Sequence, residues 1–284
     1  MTISTEQQPT SRLEVFTDLQ QGTDEWLQQR CGIITASVIG QFITQGAPDA
    51  LTVECPKCEA GEGAPCVSLA RKIPAPIKTP HDERSIRAAT LPPVFKVSSN
   101  DYSRALTMTL VSERITGYVV PTPMTRNMER GTLDEPYARD KYSEHHAPVH
   151  QVGFMVREYP WGRIGYSPDG LVGDEGLIEI KAPEPKKHLA TILADRIPYE
   201  HMAQLQTGLL VSGREWIDFN SYSGGMPLWT RRVYPDPAWQ QAILDAAMTF
   251  EDTATTTITN YQHLTQHLPT TERIDHYAEI EIGF

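Results

Sequence analysis

The sequence predicts an α/β domain, a central mixed β-sheet flanked by helices, interrupted by a small cysteine-bearing insertion. Three observations predict it. Helical spacing and strand alternation succeed one another in the order helices, strands, helix, strands, helix. Residues 44 to about 93 lose both periods and are rich in Pro, Gly and Cys. Finally, the strand-like stretch GRIGYSPDGLVGDEGLIEIKAP (162–183) carries Asp169, Glu179 and Lys181 where packing alone favours aliphatic residues. Buried charges are costly unless they are paired or hold a metal.

Along the chain, residues 1–19 read as a polar, flexible N-terminal tail without the apolar core of a signal peptide. DEWLQQRCGIITASVIGQFI (24–43) reads as two short helices about a turn. Gly32 breaks the first, and Thr35 or Ser37 caps the second. DYSRALTMTLVSERITG returns to helical spacing, with Leu106, Leu110 and Ile115 on one stripe and Gly117 as a C-terminal cap. GTLDEPYARDKYSEHH is a further helix. HQVGFMVRE, GRIGYSP and GLIEIKAP are extended, and GDEG marks a hairpin turn. PYEHMAQLQTGLLVSG is an amphipathic helix with Met202, Leu205 and Leu209 on one side. EWIDFNSYS and PLWTRRVYP are strands, and a long helix starting at DPAW follows. The expected division is a main domain over 20–50 and 91–284, with an inserted module over 51–90.

The bulk numbers bound the function. A chain of 284 residues with 39% hydrophobic content can build one large core. No run of about twenty apolar residues predicts a membrane span. The absence of an export signal points to a reducing compartment, where four cysteines are not expected to form disulfides. A formal net charge of −11 argues against a non-specific nucleic-acid coat. It leaves room for a nucleic-acid enzyme, since local cations and bound metal ions set the field in a channel.

Glu179 and Lys181 are two residues apart, so on a strand they share a face while Ile178 and Ile180 point to the other. An E-x-K triplet alone reads as an ion pair on a solvated sheet. The preceding SPDG changes that reading, because pairing across GDEG sets Asp169 beside Glu179. Two hard oxygen ligands on adjacent strands suit Mg²⁺ or Mn²⁺, and a nearby lysine can orient the metal-bound water. Pro-Asp, about ten residues, then Glu-x-Lys is the signature of the restriction-endonuclease-like nuclease fold. Glu135 on the upstream helix is a candidate third carboxylate. Gln204 or Gln206 on the downstream helix is a candidate contact to the water or the phosphate, with Gln204 preferred. Arg30 and Ser37, read as lying at helix starts, are candidate phosphate binders.

WLQQRCGIITAS, ERGTLDEPYAR, GYSPDGLV…GLIEIKAP and YEHMAQLQTGLLVSGREWIDFNSY occur in an order that resembles the YqaJ-like viral recombinase family, to which phage lambda exonuclease belongs. The resemblance runs from about residue 20 to 235, apart from the insertion. It implies a Mg²⁺-dependent exonuclease that resects linear duplex DNA 5′→3′ and leaves a 3′ single-strand overhang. That product serves a single-strand annealing protein of the RecT/beta type. By the same resemblance Asp169 and Glu179 hold the metal with help from Glu135, Lys181 positions the attacking water, and Gln204 supports the site. Arg30 and Ser37 contact the 5′-terminal phosphate, and the enzyme is a ring-shaped homotrimer. The competing readings are another nuclease on the same core, a non-catalytic DNA-binding protein, and a zinc-dependent interaction module.

The insertion contains CPKCEAGEGAPC, with Cys55, Cys58 and Cys66, followed by His81 in TPHDER. A Cys-x-x-Cys knuckle turns two thiolates toward one ion, and Cys66 with His81 can complete a Cys₃His zinc set, with other histidines still open as the fourth ligand. The segment has too few apolar residues for a core of its own, which suits a module held by metal. It resembles small zinc modules of phage and actinobacterial proteins in which an Arg follows the Cys–Cys–Cys–His pattern. Lys72, Lys78, Arg84 and Arg87 give it a basic cast, from which a grip on DNA is expected. Cys31 lies outside it and reads as a small buried residue.

Overall fold

The computed structural model describes residues 11–70, 73–120 and 124–274. Its strands are β1 (Arg12–Phe16), β2 (Ile34–Thr35), β3 (Ile43–Gly46), β4 (Val94–Val97), β5 (Phe154–Tyr159), β6 (Gly162–Tyr166), β7 (Gly170–Val172), β8 (Gly176–Lys181), β9 (Trp216–Ser221) and β10 (Trp229–Val233). Its helices are α1 (Asp24–Arg30), α2 (Asp82–Ala88), α3 (Asp101–Thr116), α4 (Arg126–His145), α5 (Pro185–Ala194), α6 (Met202–Ser212) and α7 (Pro237–Thr265). Two four-stranded mixed sheets, ordered β1-β5-β6-β2 and β10-β9-β8-β7, form the frame, and β3 pairs with β4 separately. The β2–β6 and β8–β9 pairs are parallel and the others antiparallel. This is the mixed α/β architecture the sequence predicts.

Local signals set the helix ends. Thr23, Asn100, Thr125 and Asp236 each accept a backbone N–H of the first turn of α1, α3, α4 and α7. Gly117 and Gly213 close α3 and α6 in the left-handed conformation. Trp239, Ile243, Ala246, Ala247, Phe250 and Ala254 recur at helical spacing along α7. They bury one stripe in the main core with Leu205 and Leu209 of α6 and Ile164, Leu177, Ile217 and Phe219 of the sheets. A smaller core joins Ala138 and Tyr142 of α4 to Ile178 and Ile180. Strand β8 is therefore covered on both faces.

Three expectations need correction. Arg12–Phe16, expected in the flexible tail, pairs along β5 from Arg12↔Glu158 to Phe16↔Phe154; residues 1–10 lie outside the described part. Residues 34–43, read as a second short helix, instead form β2 and a single 3₁₀ turn. Ile34 and Thr35 are drawn into the sheet by pairing with Ile164 and Gly165, a tertiary contact that overrides the local pattern. Consequently neither Thr35 nor Ser37 caps a helix.

The insertion leaves the frame at one point. β3 and β4 are antiparallel with Gly46 opposite Val94, so residues 47–93 grow from the tip of a hairpin. Phe95 of that hairpin packs tilted against Trp239 of α7, with 4.3 Å between ring centroids.

Candidate active site

The site is built on the β7–β8 hairpin. The register pairs Gly170 with Ile178 and Val172 with Gly176, so Asp169 falls opposite Glu179. The Asp169 Oδ2 atom accepts the Ile180 N–H at 2.6 Å, which fixes the carboxylate beside β8. Ile178 and Ile180 face α4, whereas Leu177, Glu179 and Lys181 face α6. Glu179 is only 1% exposed. Its Oε1 accepts from Lys181 Nζ at 2.7 Å and from the Gln204 side-chain amide, and its Oε2 accepts from the Tyr166 hydroxyl at 3.4 Å. Tyr166 reaches it because α6 has glycine at 208. A Cβ there would stand 2.8 Å from the phenol ring.

Glu135 enters from α4 and pairs with Arg139 one turn later. Arg139 also donates Nε to the Asp169 carbonyl at 3.0 Å, so one guanidinium ties α4 to the hairpin. Of the two glutamines, Gln204 reaches the site. Gln206 bonds instead to the backbone at Tyr234 and Asp236 and is structural.

The electrostatics follow from crowding. Burial, then the Glu179 charge, push the Asp169 carboxyl well above its ordinary range. Glu135 is also raised, by burial and by Glu179 against the pull of Arg139. Burial alone would lower Lys181, but Glu179 and Asp169 outweigh it, and the amine is held up as an ammonium. The set has three carboxylates against Lys181 and Arg139, all with hard oxygen donors. A small divalent cation relieves that excess, so the residues present fit Mg²⁺ or Mn²⁺.

The same cavity, about 480 Å³, is lined by Glu135, Asp169, Glu179, Lys181 and Gln204 at one part and by Arg30, Thr35, Ser37 and Ser167 at another. Arg30 donates to Ser167 at 3.4 Å and to Thr35 and Ser37 at 3.3 Å each, with its guanidinium 4.0 Å over the Trp26 ring. Trp26 Nε1 donates to Ser167 at 3.0 Å. Burial lowers Arg30 to about 10, so it remains a cation at neutral pH. Arg30 sits in the last turn of α1 and Ser37 on the loop after β2. Neither lies at a helix start, so a phosphate here would meet the guanidinium and a ring of hydroxyls, not a helix dipole. Sequence reasoning missed Trp26, Thr35, Arg139, Tyr166 and Ser167. Two signals were available: Tyr166 and Ser167 adjoin the Pro-Asp pair, and Arg139 lies four residues after Glu135.

In the insertion, Cys55, Cys58, Cys66 and His81 bring four ligand atoms within 4.8 Å of one another. All the described cysteines are free thiols. Glu59 takes a positive φ just after the knuckle, and Cys55 exchanges backbone hydrogen bonds with Glu59 and Ala60. Cys55 Sγ stands 3.4 Å from His81 Nδ1. Burial would raise the Cys66 thiol, but the His81 backbone N–H, Arg84 and the neighbouring thiols outweigh it and bring it down to about 6. This donor set fits zinc.

The basic cast needs correction. Arg84 is 0% exposed and cannot touch DNA. Lys78 and Arg87 face solvent, and Lys72 lies outside the described residues. Cys31 is half-buried and donates to the Glu113 carbonyl at 3.3 Å, away from the cluster.

Comparison with known proteins shows what this chain is similar to. Residues 87–215 match the model of the YqaJ-like viral recombinase domain. That stretch of the chain is similar to the YqaJ-like viral recombinase domain over 129 residues. Residues 35–96 match a model described as "Putative DNA-binding phage zinc finger domain", which spans the cysteine cluster. The structure of an alkaline exonuclease (LHK-Exo) from Laribacter hongkongensis is similar over 87% of this chain and 100% of its own, at 25% identity and a TM-score of 0.62. The structure of LHK-Exo in complex with dAMP is similar over the same shares, at 26% identity and a TM-score of 0.61. No curated protein matches the chain significantly. The YqaJ-like match includes Glu135, Asp169, Glu179, Lys181 and Gln204, while Arg30 lies before it. No described helix is long and apolar enough to cross a membrane.

Proposed function

We propose that this protein is a phage-type, Mg²⁺-dependent exonuclease that resects linear duplex DNA from its 5′ end and leaves a 3′ overhang. One observation carries the reading. A single cavity holds an oxygen-only carboxylate set with a lysine and, beside it, an arginine ringed by hydroxyls. The first suits phosphodiester hydrolysis and the second suits a terminal phosphate, so the pair measures from an end. The similarity to an alkaline exonuclease supports it.

Asp169, Glu179 and Glu135 hold the Mg²⁺, which when bound supplies an activated water and stabilises charge on the phosphate. Lys181 is an ammonium, so it orients the nucleophile and meets developing negative charge as a donor. Gln204 donates to Glu179 and keeps that carboxylate aimed into the cavity. Arg30, with Thr35, Ser37 and Ser167, binds the 5′-phosphate. Within the same reading the zinc module grips the duplex, a RecT/beta-type annealing protein takes the overhang, and the enzyme works as a ring-shaped homotrimer in the host cytoplasm.

The test is digestion of linear duplex DNA bearing 5′-phosphate or 5′-hydroxyl ends, and of circular DNA, with Mg²⁺ or EDTA. The expected result is Mg²⁺-dependent loss of the 5′ strand from linear DNA alone. Lys181→Ala should cost at least about 100-fold in rate, the scale of a lost transition-state donor. Arg30→Ala should cost more on 5′-phosphate than on 5′-hydroxyl ends. Digestion of circles, or equal loss on both ends, would overturn the end-directed reading.

A further inference from the structure

Arg84 is a buried cation with no carboxylate among its partners. Its Nε donates to the Val53 carbonyl at 2.8 Å. One terminal nitrogen donates to Ala64 O at 2.7 Å and to Cys66 Sγ at 3.4 Å. The other donates to Gly61 O at 2.8 Å and Leu51 O at 3.5 Å. These acceptors lie on both sides of the Cys55–Cys58 knuckle, so one side chain ties together the segments before and after it. The apolar groups buried around it are few: Val53, Ala88, and the thiols of Cys55 and Cys66.

A guanidinium keeps its charge, and burying it without an anion is costly. Carbonyls solvate it but do not neutralise it. The remaining anion source is the ligand cluster, whose Cys66 sulfur it touches. Three thiolates and a neutral imidazole around a divalent ion sum to a net charge of −1, and Arg84 brings that to zero.

We infer that Arg84 is the internal counter-ion of the Cys₃His metal centre, so that the module closes only when metal and guanidinium are buried together. The inference rests on the zinc reading of the cluster. It makes Arg84 a positioning residue for the metal, and it takes Arg84 out of the DNA-binding surface. A lysine at 84 keeps the charge but loses the fork that spans four carbonyls, whereas a methionine keeps the bulk and loses the charge.

The test uses the full chain. Zinc per chain is measured by elemental analysis, and affinity by competition with a chromophoric chelator. Cobalt substitution provides a thiolate-to-metal absorption band, and far-ultraviolet circular dichroism with the main thermal transition reports that the main domain is folded. Arg84→Met is expected to weaken metal binding by about 10- to 100-fold, the range for partners that orient metal ligands. Arg84→Lys should recover most of that loss. Arg84→Met binding as tightly as the wild type would overturn the inference. Arg84→Lys as weak as Arg84→Met would overturn it too, because hydrogen bonding and not charge would then be the whole effect. A wild-type chain that takes up neither zinc nor cobalt overturns the metal reading and this inference together. Equal loading of wild type and Arg84→Met overturns this inference alone.

Discussion

Asp169 shows how a single residue links stability and activity. Burial, then the Glu179 charge, raise its carboxyl well above the ordinary range. The folded chain therefore binds this proton more tightly than the unfolded chain does. The associated stability is present below the ordinary Asp value and is lost as pH rises through the raised value in the folded state. The metal-free protein should accordingly melt at lower temperature as pH rises, with Mg²⁺ reversing the loss. Asp169→Asn keeps an acceptor for the Ile180 N–H and cannot ionise beside Glu179. Its metal-free Tm should be higher, by about 2–4 °C per kcal/mol of relieved repulsion, and flatter with pH. Mg²⁺ should no longer shift it, and activity should vanish. The measurement is calorimetry from acid pH, near the ordinary Asp value, up to alkaline pH with and without Mg²⁺. A metal-free Asp169→Asn that melts below the wild type would contradict the crowding argument.

At the scale of elements, α6 approaches β6 closely at Gly208. Gly208→Ala gains roughly 1 kcal/mol of helix propensity but sets a Cβ at 2.8 Å from the buried Tyr166 ring. Overpacking of this kind costs about 1–3 kcal/mol. Urea unfolding should show net destabilisation, and activity should fall because Tyr166 moves off Glu179. A stabilised variant would show that the ring yields freely. The hairpin carrying Asp169, Glu179 and Lys181 was legible because period-two alternation and a turn sequence are local properties. The turn-and-strand character of 34–43 was not, because β2 exists only through its pairing with Ile164 and Gly165. Likewise Arg84 reads in the sequence as one more surface cation. Its burial depends on carbonyls from residues 51, 53, 61 and 64 converging on it.

At the scale of the molecule, the zinc module hangs from the tip of the β3–β4 hairpin, and the chain enters and leaves it at neighbouring points. A segment so attached can be removed without breaking the frame. Replacing residues 51–90 by a short Gly-Ser linker should leave the far-ultraviolet circular dichroism and the Tm of the main domain nearly unchanged. Duplex affinity should drop, and the slope of log affinity against log salt should become shallower by about one unit per lost phosphate contact. An unchanged affinity and slope in a folded variant would remove DNA binding from the module's role. Lys78 and Arg87 are the described basic residues there that face solvent without an ion pair, whereas Lys57 is paired with Glu83.

The sequence by itself determined the chemistry: which carboxylates, lysine, thiols and imidazole exist, and which of them share a strand face or a knuckle. Those relations are fixed by spacing of a few residues and by the periods of strand and helix. Only the tertiary structure decided which groups meet across long separations. It brought Arg30 and Ser167 together over 137 positions, placed Gln204 rather than Gln206 on Glu179, and turned Arg84 inward. The physical reason is that such contacts are set by where whole elements pack to bury apolar surface, and no local pattern along the chain encodes that packing.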